Sequence, residues 1–583
     1  MSPRRGGALG RRVATFERRG RFTVAEPLFE RGPRVALVRG SIEVEPGEIA
    51  LVDFGPRGAR ALRSLGSAES AREVAAALLW DGGMDRGFTA ALESEAGETA
   101  VAAREAPLAR RDLAQLPTFT VDPATARDFD DAVSAEAEGD GVRLWIHIAD
   151  VAAHVRPGGG LDTEALRRGT STYVPGTVEP MLPAALSDAA CSLAPGEDRL
   201  AVTAEIELGS GGEPRAASFY RSRIRSNSRL DYEQLDGFFA GRAQPPSEVA
   251  EPLGLARRAA AALAARRPVG SLEIESFEPE FSFDADGAVT GARSVPQTEA
   301  HKLIEQLMIL TNERVALLLE QRGVPTLYRV HEPPDPQRIA FLVEQLADLG
   351  VPTPPLPERL SPSEAGELAG EISSAVAREA ARRGHGRDAY TSLVLRSLKQ
   401  AYYSERNIGH AGLGSSAYAH FTSPIRRYPD LVAHRALLFL IGAGEDEPEP
   451  QAVSEAGWRS SEREREAVAI ERDADRVCAS FLLGRELFES GWKRRFEGEI
   501  SGVIGAGAFV RFGGQLGDVY EGLLPVRLLR EERFDLNQTE TALVGRRSGR
   551  ALRLGDPITV RVDSIDAPRG RVDLVPAEDG HGH

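Results

Sequence analysis

Four aspartates, Asp122, Asp128, Asp130 and Asp131, fall within ten residues in the segment Val121-Asp-Pro-Ala-Thr-Ala-Arg-Asp-Phe-Asp-Asp-Ala-Val. Carboxylates this close repel one another unless a cation joins them. An acidic loop tip in water is the ordinary explanation of such a cluster. Here the flanks argue otherwise: Phe119, Val121, Phe129, Ala132 and Val133 bracket the acids, and a strand pattern follows at Val142. Carboxylates carried into a core by apolar neighbours suit a hard, oxygen-seeking ion such as Mg²⁺. Two such ions can activate water and steady the leaving oxygen of a phosphodiester.

A second group of residues fits the same chemistry. In Ala419-His-Phe-Thr-Ser-Pro-Ile-Arg-Arg-Tyr-Pro-Asp, Pro424 behind Ser423 predicts a helix start. A helix N-terminus favours anions, and Arg426 and Arg427 add charge suited to phosphate oxygens. Standing alone, this segment reads as an ordinary helix with salt-bridged arginines. A weaker signal is Arg221-Ser-Arg-Ile-Arg-Ser-Asn-Ser-Arg. As a strand it sets Arg221, Arg223 and Arg225 on one face, either a rail for a phosphate backbone or a solvated surface.

Several elements must position these residues. Val142, Leu144, Ile146 and Ile148 alternate with the period of a strand. Thr298 to Gln321 reads as a long helix capped by Thr298 and stopped by Gly323 and Pro325. An Ala-rich helix is expected at Ser70–Trp80, and another from about Ser454 to Ser490. Residues 1 to about 105 carry short apolar runs separated by Gly and Pro, the pattern of a small β-rich module with or without RNA contact. Residues 494–577 offer five strand candidates and hold 13 basic against 12 acidic residues, a net +1 in a chain of net −16. Phe509, Phe512 and Tyr520 there either stack on bases or fill the core.

The bulk composition narrows the choices. A chain of 583 residues suggests three or four domains. Its two cysteines, Cys191 and Cys478, form no paired motif, so a structural zinc site or disulfide framework is not expected. No apolar run of about 18 residues predicts a membrane span, and no signal-peptide pattern follows the basic start. A reducing cytoplasm is the expected location. A net charge of −16 argues against a protein that coats nucleic acid, though not against an enzyme with a locally basic groove.

Together these segments resemble the ribonuclease II / ribonuclease R (RNase II / RNase R) family over about residues 115–440. Four motifs carry the likeness, in the family's order: Asp122 to Val133; Arg168-Gly-Thr-Ser-Thr-Tyr-Val-Pro with Pro180-Met-Leu-Pro and Leu186-Ser; Glu299-Ala-His-Lys-Leu-Ile-Glu; and His420-Phe-Thr-Ser-Pro-Ile-Arg-Arg-Tyr-Pro-Asp. The resemblance implies an α+β fold: a mixed α/β catalytic RNB domain flanked by small β-barrel modules of the OB type. The expected divisions are a cold-shock-like module with a following helix over 1–105, the RNB domain with its C-terminal helices over 106–493, a ribosomal-S1-type RNA-binding barrel over 494–577, and a tail at 578–583. Family members usually carry two cold-shock modules where this chain has room for one. The chain also lacks a Lys-rich C-terminal tail, so the resemblance is not carried over to duplex unwinding.

The implied activity is a processive 3′-to-5′ exoribonuclease that hydrolyses single-stranded RNA to nucleoside 5′-monophosphates with Mg²⁺, two ions in the reacting complex. Asp122 and Asp131 would bind the first ion, and Asp128 and Asp130 would complete the metal site, Asp130 being the most sensitive. Arg426 would hold the scissile phosphate and act with Asp130 in catalysis, with Arg427 also on the substrate. Tyr173 would stack on a base near the 3′ end, and Tyr232 and Glu305 would sit by the terminal nucleotide. Ile274, or Phe277 three residues on, falls where the family has an opposing aromatic. The implied partner is single-stranded RNA, with no membrane and no obligatory protein partner. A catalytically silent RNA-binding protein on the RNB fold is a rival reading, as is a phosphoesterase of small nucleotides. The complete set of four aspartates speaks against the first. The Tyr173 motif and the C-terminal barrel speak against the second.

Overall fold

Strands β1 (Gly10–Arg19), β2 (Phe22–Pro27), β3 (Val35–Ala36), β4 (Glu48–Gly55) and β5 (Gly58–Ser67) form a sheet in the order β3-β2-β1-β4-β5. A parallel bridge between Leu37 and Ala59 joins its two ends, and Phe16, Ala25, Val52 and Phe54 fill the interior. That strand order is the one a five-stranded Greek-key barrel requires. The structure is a computed structural model that describes residues 10–84, 87–105, 108–267, 278–514, 517–529 and 532–577. Helix α1 (Ala71–Asp81) begins where expected, the Ser70 side chain accepting from the Glu73 N–H, and α2 (Ala90–Glu105) follows it.

The central sheet positions the acidic segment. Its strands are β6 (Arg111–Asp112), β7 (Phe119–Val121), β8 (Asp131–Glu138) and β9 (Gly141–Ala149), then, after α3 (Gly160–Arg168) and the hairpin β10 (Thr172–Val174) and β11 (Thr177–Glu179), β12 (Asp198–Leu208), β13 (Pro214–Arg225) and β14 (Ser228–Leu230). The order is β14-β7-β8-β9-β12-β13-β6, antiparallel through the middle and parallel at both edges. In β9 the expected Leu144, Ile146 and Ile148 are fully buried, and so is His147 on the opposite face, with Trp145 nearly so. A buried polar seam crosses the strands. Thr118 meets Ser134 at 2.7 Å, Ser134 meets His147 Nε2 at 3.2 Å, and His147 Nδ1 meets Thr203 Oγ1 at 2.9 Å.

The arginines of β13 do not form an open rail. Arg221 is buried against Asp150 at 3.2 Å and Glu445 at 2.8 Å. Arg223 pairs with Asp112 and Asp198, and Arg225 with Asp198 at 2.7 Å. Arg221 is taken up inside the fold, and Arg223 and Arg225 stay at the surface in ion pairs, so the three do not stand as one open row.

Helices complete this region: α4 (Tyr232–Phe239), α5 (Ala250–Ala265), then after the hairpin β15 (Glu278–Phe283) and β16 (Val289–Val295) the long α6 (Glu299–Arg322). Thr298 and His301 build a capping box at the start of α6, and Gly323 ends it at φ 66°, a left-handed conformation that favours glycine. Then come β17 (Tyr328–Val330), α7 (Pro336–Asp348), α8 (Pro362–Arg383), α9 (Arg387–Ser397), β18 (Tyr402–Ser404), α10 (Tyr428–Leu440) and the 41-residue α11 (Pro450–Ser490). Among the described residues, no helix is long and apolar enough to cross a membrane.

The C-terminal strands β19 (Phe496–Ile504), β20 (Gly507–Gly514) and β21 (Gly517–Pro525) are followed by a side sheet, β22 (Phe534–Leu536), β23 (Ala542–Gly545) and β24 (Ala551–Arg553). With β25 (Pro557–Asp566) and β26 (Arg571–Pro576) the main strands close a barrel in the order β19-β20-β21-β26-β25. Phe512 lies 5.1 Å from Phe496 and 5.7 Å from Tyr520, ring to ring, and all three are buried. Phe512 and Tyr520 are therefore core packing and not base-stacking surface; Phe509 is half-buried.

Candidate active site

The acidic loop runs from the end of β7 to the start of β8 and is tied down at several points. Asp131 already pairs with Ile148 across β8 and β9. The Asp130 carbonyl accepts from the Ala149 N–H at 2.9 Å, and the Asp122 N–H donates to the Leu230 carbonyl at 3.2 Å. Ser192 holds the middle: its hydroxyl accepts from the Phe129 N–H at 3.1 Å and donates to the Arg127 carbonyl at 2.6 Å. Arg229 donates to the carbonyls of Pro123 and Ala124 at 2.9 and 2.7 Å and leans over the Phe129 ring at 5.2 Å. Phe129 itself is buried and anchors the loop between Asp128 and Asp130.

The arginine segment arrives from 295 residues away to meet this loop. The Ile425 N–H donates to Asp130 Oδ1 at 2.8 Å, and Arg426 Nε lies 3.4 Å from Asp130 Oδ2, an ion pair too long for a strong hydrogen bond. The helix starts later than the Ser-Pro pair predicts. Residues 424–426 are a turn, with the Arg427 N–H on the Ser423 carbonyl at 3.0 Å, and α10 begins only at Tyr428 with Pro429 in its first turn. Asp430 is the reason: its Oδ1 accepts from the Ser423 N–H at 2.8 Å and from Arg427 at 2.7 Å, which closes the turn. The two neighbouring arginines thus face different ways, Arg426 to Asp130 and Arg427 to Asp430. The Ser171 N–H bonds the Arg426 carbonyl at 2.9 Å and so pins this turn to the segment that leads into β10.

Crowding of like charge shows in the acidities. Burial first, and then Asp131, Asp130 and Asp128, push Asp122 up to about 8. Burial raises Asp131 to about 6 against the pull of Arg426 and Arg427. Burial likewise holds Asp130 well above the carboxylate range despite Arg426. Oδ2 of Asp122 and Oδ2 of Asp130 are buried without a hydrogen-bond donor. Such a set, all oxygen donors whose negative charge is held back by burial and crowding, with orphaned buried atoms, fits a hard divalent cation that would favour their ionised form. Among the described residues, no three acidic side chains already close into a cation cage; an arriving ion would have to draw them together.

The other sequence candidates lie around this centre. Tyr173, in β10, is 39% exposed; its hydroxyl donates to Asp128 Oδ2 at 3.1 Å. Tyr232, the first residue of α4, stacks on His301 of α6 at 3.9 Å with the rings 10° apart. The carboxylates of Asp131 and Asp122 are near enough to help hold the Tyr232 phenol neutral, after burial. Glu305 is exposed on α6, one turn beyond His301. Ile274 and Phe277 fall outside the described residues. Sequence reasoning did not single out Ser192, Arg229, His301 or Asp430. His301 and Asp430 stand inside quoted motifs, and their spacing from Thr298 and Arg427 marks a cap and an i,i+3 pair. Nothing in the local sequence marks Ser192.

Comparison with known proteins agrees with this geometry. The family model described as the RNB domain matches residues 110–442. A Ribonuclease R of Aquifex aeolicus is 37% identical over 80% of this chain and 64% of its own length. A Ribonuclease R of Escherichia coli is 36% identical over 81% of this chain and 58% of its own length. The chain thus spans about three-fifths of the curated relatives it matches. Among solved structures, Mycoplasma genitalium RNase R, in complex with ribose-methylated single-stranded RNA, superposes with a TM-score of 0.85 at 24% identity, covering 97% of this chain and 89% of that one. That likeness shows a shared fold. The family match takes in more than half of the chain, including both the acidic loop and the arginine turn, and so this chain belongs to the RNB-domain family.

Proposed function

We propose that the chain is a processive 3′-to-5′ exoribonuclease that hydrolyses single-stranded RNA to nucleoside 5′-monophosphates with Mg²⁺, two ions in the reacting complex. One observation carries the proposal: the orphaned carboxylates of the acidic loop meet the Arg426 guanidinium at Asp130. Anionic oxygens beside a fixed cation are what a scissile phosphate and its counter-ions need. Relatives named Ribonuclease R support RNA as the substrate, and the 3′-to-5′ direction is what the family resemblance implies.

In this reading Asp122, Asp128, Asp130 and Asp131 hold the ions. The ions would supply an activated water and neutralise charge on the leaving oxygen. Arg426 binds a non-bridging phosphate oxygen and offsets charge that builds during attack. Arg427 fixes the turn that aims Arg426 and adds positive potential for the RNA backbone. Tyr173 stacks on a base next to the cut. Tyr232, with His301 behind its ring, and Glu305 lie by the terminal sugar, where a 2′-hydroxyl distinguishes RNA from DNA. The N-terminal five-stranded unit and the C-terminal barrel would grip the RNA upstream, and the protein would work in the cytoplasm, where its two buried free cysteines stay reduced.

The test is a 5′-labelled RNA with a blocked or free 3′ end and an all-DNA strand of the same sequence. A free 3′ end should be shortened stepwise, a 3′-phosphate should slow decay, and DNA should bind but resist cleavage. Rapid internal cuts in a circular RNA would overturn the exonuclease assignment.

A further inference from the structure

The sheet itself brings Tyr232 to the acidic loop. Leu230, the last residue of β14, pairs with Val121, the residue before Asp122. Asp231 then caps α4, so Tyr232 stands on the first residue of that eight-residue helix. Among the described residues, the Tyr232 hydroxyl has no hydrogen-bond partner. A tyrosine side chain has two torsions to settle, and here its hydroxyl settles neither. What fixes the ring must act on its face.

That face lies on His301. The ring centroids are 3.9 Å apart, the planes are 10° from parallel, and both residues are half-buried. His301 is held in turn by the start of its own helix. The Thr298 N–H donates to Nδ1 at 3.3 Å, and the Thr298 hydroxyl meets the same nitrogen at 2.8 Å. A backbone N–H only donates, so Nδ1 is an acceptor and the imidazole proton sits on Nε2. Burial lowers the His301 acidity below its ordinary value, against the opposing charges of Asp236 and Glu280, and so favours the neutral ring. The two helices are fastened as well: Asp236 of α4 accepts from the Ala300 N–H of α6 at 3.2 Å. Glu305 follows His301 by four residues, on the same side of α6.

We infer that His301 is a positioning residue for sugar selection: its imidazole, aimed by Thr298, backs the Tyr232 ring and holds the phenol hydroxyl toward the ribose of the terminal nucleotide. The inference rests on the proposed reading of Tyr232 as a residue beside that sugar. His301 acts through Tyr232 and not on the RNA. It does two separable things: its ring supplies the stack, and its Nδ1 caps α6. Only the stack bears on the choice between ribose and deoxyribose.

The experiment uses the full chain with Mg²⁺ and an oligoribonucleotide that ends either in ribose or in a single 2′-deoxyribose. The readouts are kcat and KM for release of the first nucleotide from each, and the melting temperature. His301→Gln keeps an acceptor for the Thr298 N–H, as glutamine does at this position of a capping box, but has no ring. His301→Phe keeps a ring and loses the acceptor. Tyr232→Ala and the double change Tyr232→Ala/His301→Gln complete the set. His301→Gln should lower the preference for the ribose end about 2- to 10-fold, the share that an aromatic pair contributes. The loss should come through a raised KM for the ribose-ended substrate, with kcat little changed and melting near the wild type. His301→Phe should keep the preference and melt lower. The double variant should discriminate no worse than Tyr232→Ala alone, since both changes remove the same contact. If Tyr232→Ala loses the preference while His301→Gln keeps it, the inference fails and the reading of Tyr232 stands. If Tyr232→Ala keeps the wild-type preference, that reading fails and the inference with it. A His301→Phe that discriminates as poorly as His301→Gln, or a double variant worse than Tyr232→Ala, would give His301 a role apart from the stack and overturn the inference.

Discussion

Asp130→Asn separates chemistry from architecture more cleanly than other changes at this site. Asp130 Oδ1 accepts the Ile425 N–H at 2.8 Å, and the amide oxygen of asparagine can keep that bond, so the turn carrying Arg426 stays in place. On the other side, an NH₂ group replaces an anionic oxygen 3.4 Å from Arg426 Nε. The attraction becomes a contact between donors, and one negative charge is removed from the cation site. Loss of one preorganised electrostatic group typically costs about 10²–10³ in kcat, or ~2.7–4 kcal/mol. Folding should move the other way. Burial holds the Asp130 acidity well above the usual carboxylate range, so the folded state disfavours the ionised form. The penalty is absent below the ordinary carboxylate value, near pH 4, and grows as pH rises above it. In EDTA, Asp130→Asn should therefore melt no lower than the wild type at pH 7, with a lead that grows from about pH 4 up to the raised carboxyl value and is constant above it. The assays are single-turnover cleavage of labelled RNA in Mg²⁺, RNA binding in EDTA, and thermal melts in EDTA. A variant that keeps more than half of the wild-type rate would refute the assignment. A variant that melts well below wild type would refute the claim that the bond to Ile425 survives.

Other expectations concern what holds the site. Ser192→Ala removes both bonds that pin the loop at Phe129 and Arg127, and should lower stability by about 1–3 kcal/mol in denaturant titrations while reducing kcat. Burial pushes His147 down to about 3, so the unfolded chain takes up a proton below its ordinary value of 6.5 that the folded chain refuses. Its stabilising contribution is complete above pH 6.5 and is lost toward pH 3 at up to about 1.4 kcal/mol per pH unit. His147→Gln should flatten the stability-against-pH curve between pH 6 and 4, and an unchanged slope would count against a neutral buried imidazole. Arg221→Ala should cost about 1–3 kcal/mol in stability, because it strips one partner from the fully buried Asp150, which Arg110 still pairs at 2.7 Å. A loss of RNA affinity with no change in melting temperature would instead make β13 a phosphate rail.

Periodicity made β9, α6 and the C-terminal barrel legible, because each is a regular element with its own turn or cap signals. The barrel's order, with β26 between β21 and β25, depends on pairing between distant strands, which no local pattern carries. The start of α10 was misplaced because Ser423 and Pro424 make a plausible cap, whereas Asp430, seven residues on, binds the Ser423 N–H from inside the helix and turns the chain first. The β13 arginines show the same limit. Their strand is readable from the sequence, but Asp150, Glu445, Asp112 and Asp198 come from elsewhere in the chain to neutralise them. The acidic loop and Arg426 were visible as residue types. Their meeting at Asp130 is a tertiary fact.

The central claim is tested most directly by incubating the protein, with Mg²⁺ or with EDTA, with single-stranded RNA labelled at its 5′ end and with the same RNA labelled at every internal phosphate, following the first on a gel and the second by thin-layer chromatography. The account predicts conversion of full-length RNA to a short 5′-labelled end product with few intermediates between, release of nucleoside 5′-monophosphates from the first time point, and no products in EDTA. Fragments of random internal length, 3′-phosphate ends, or full activity in EDTA would contradict it.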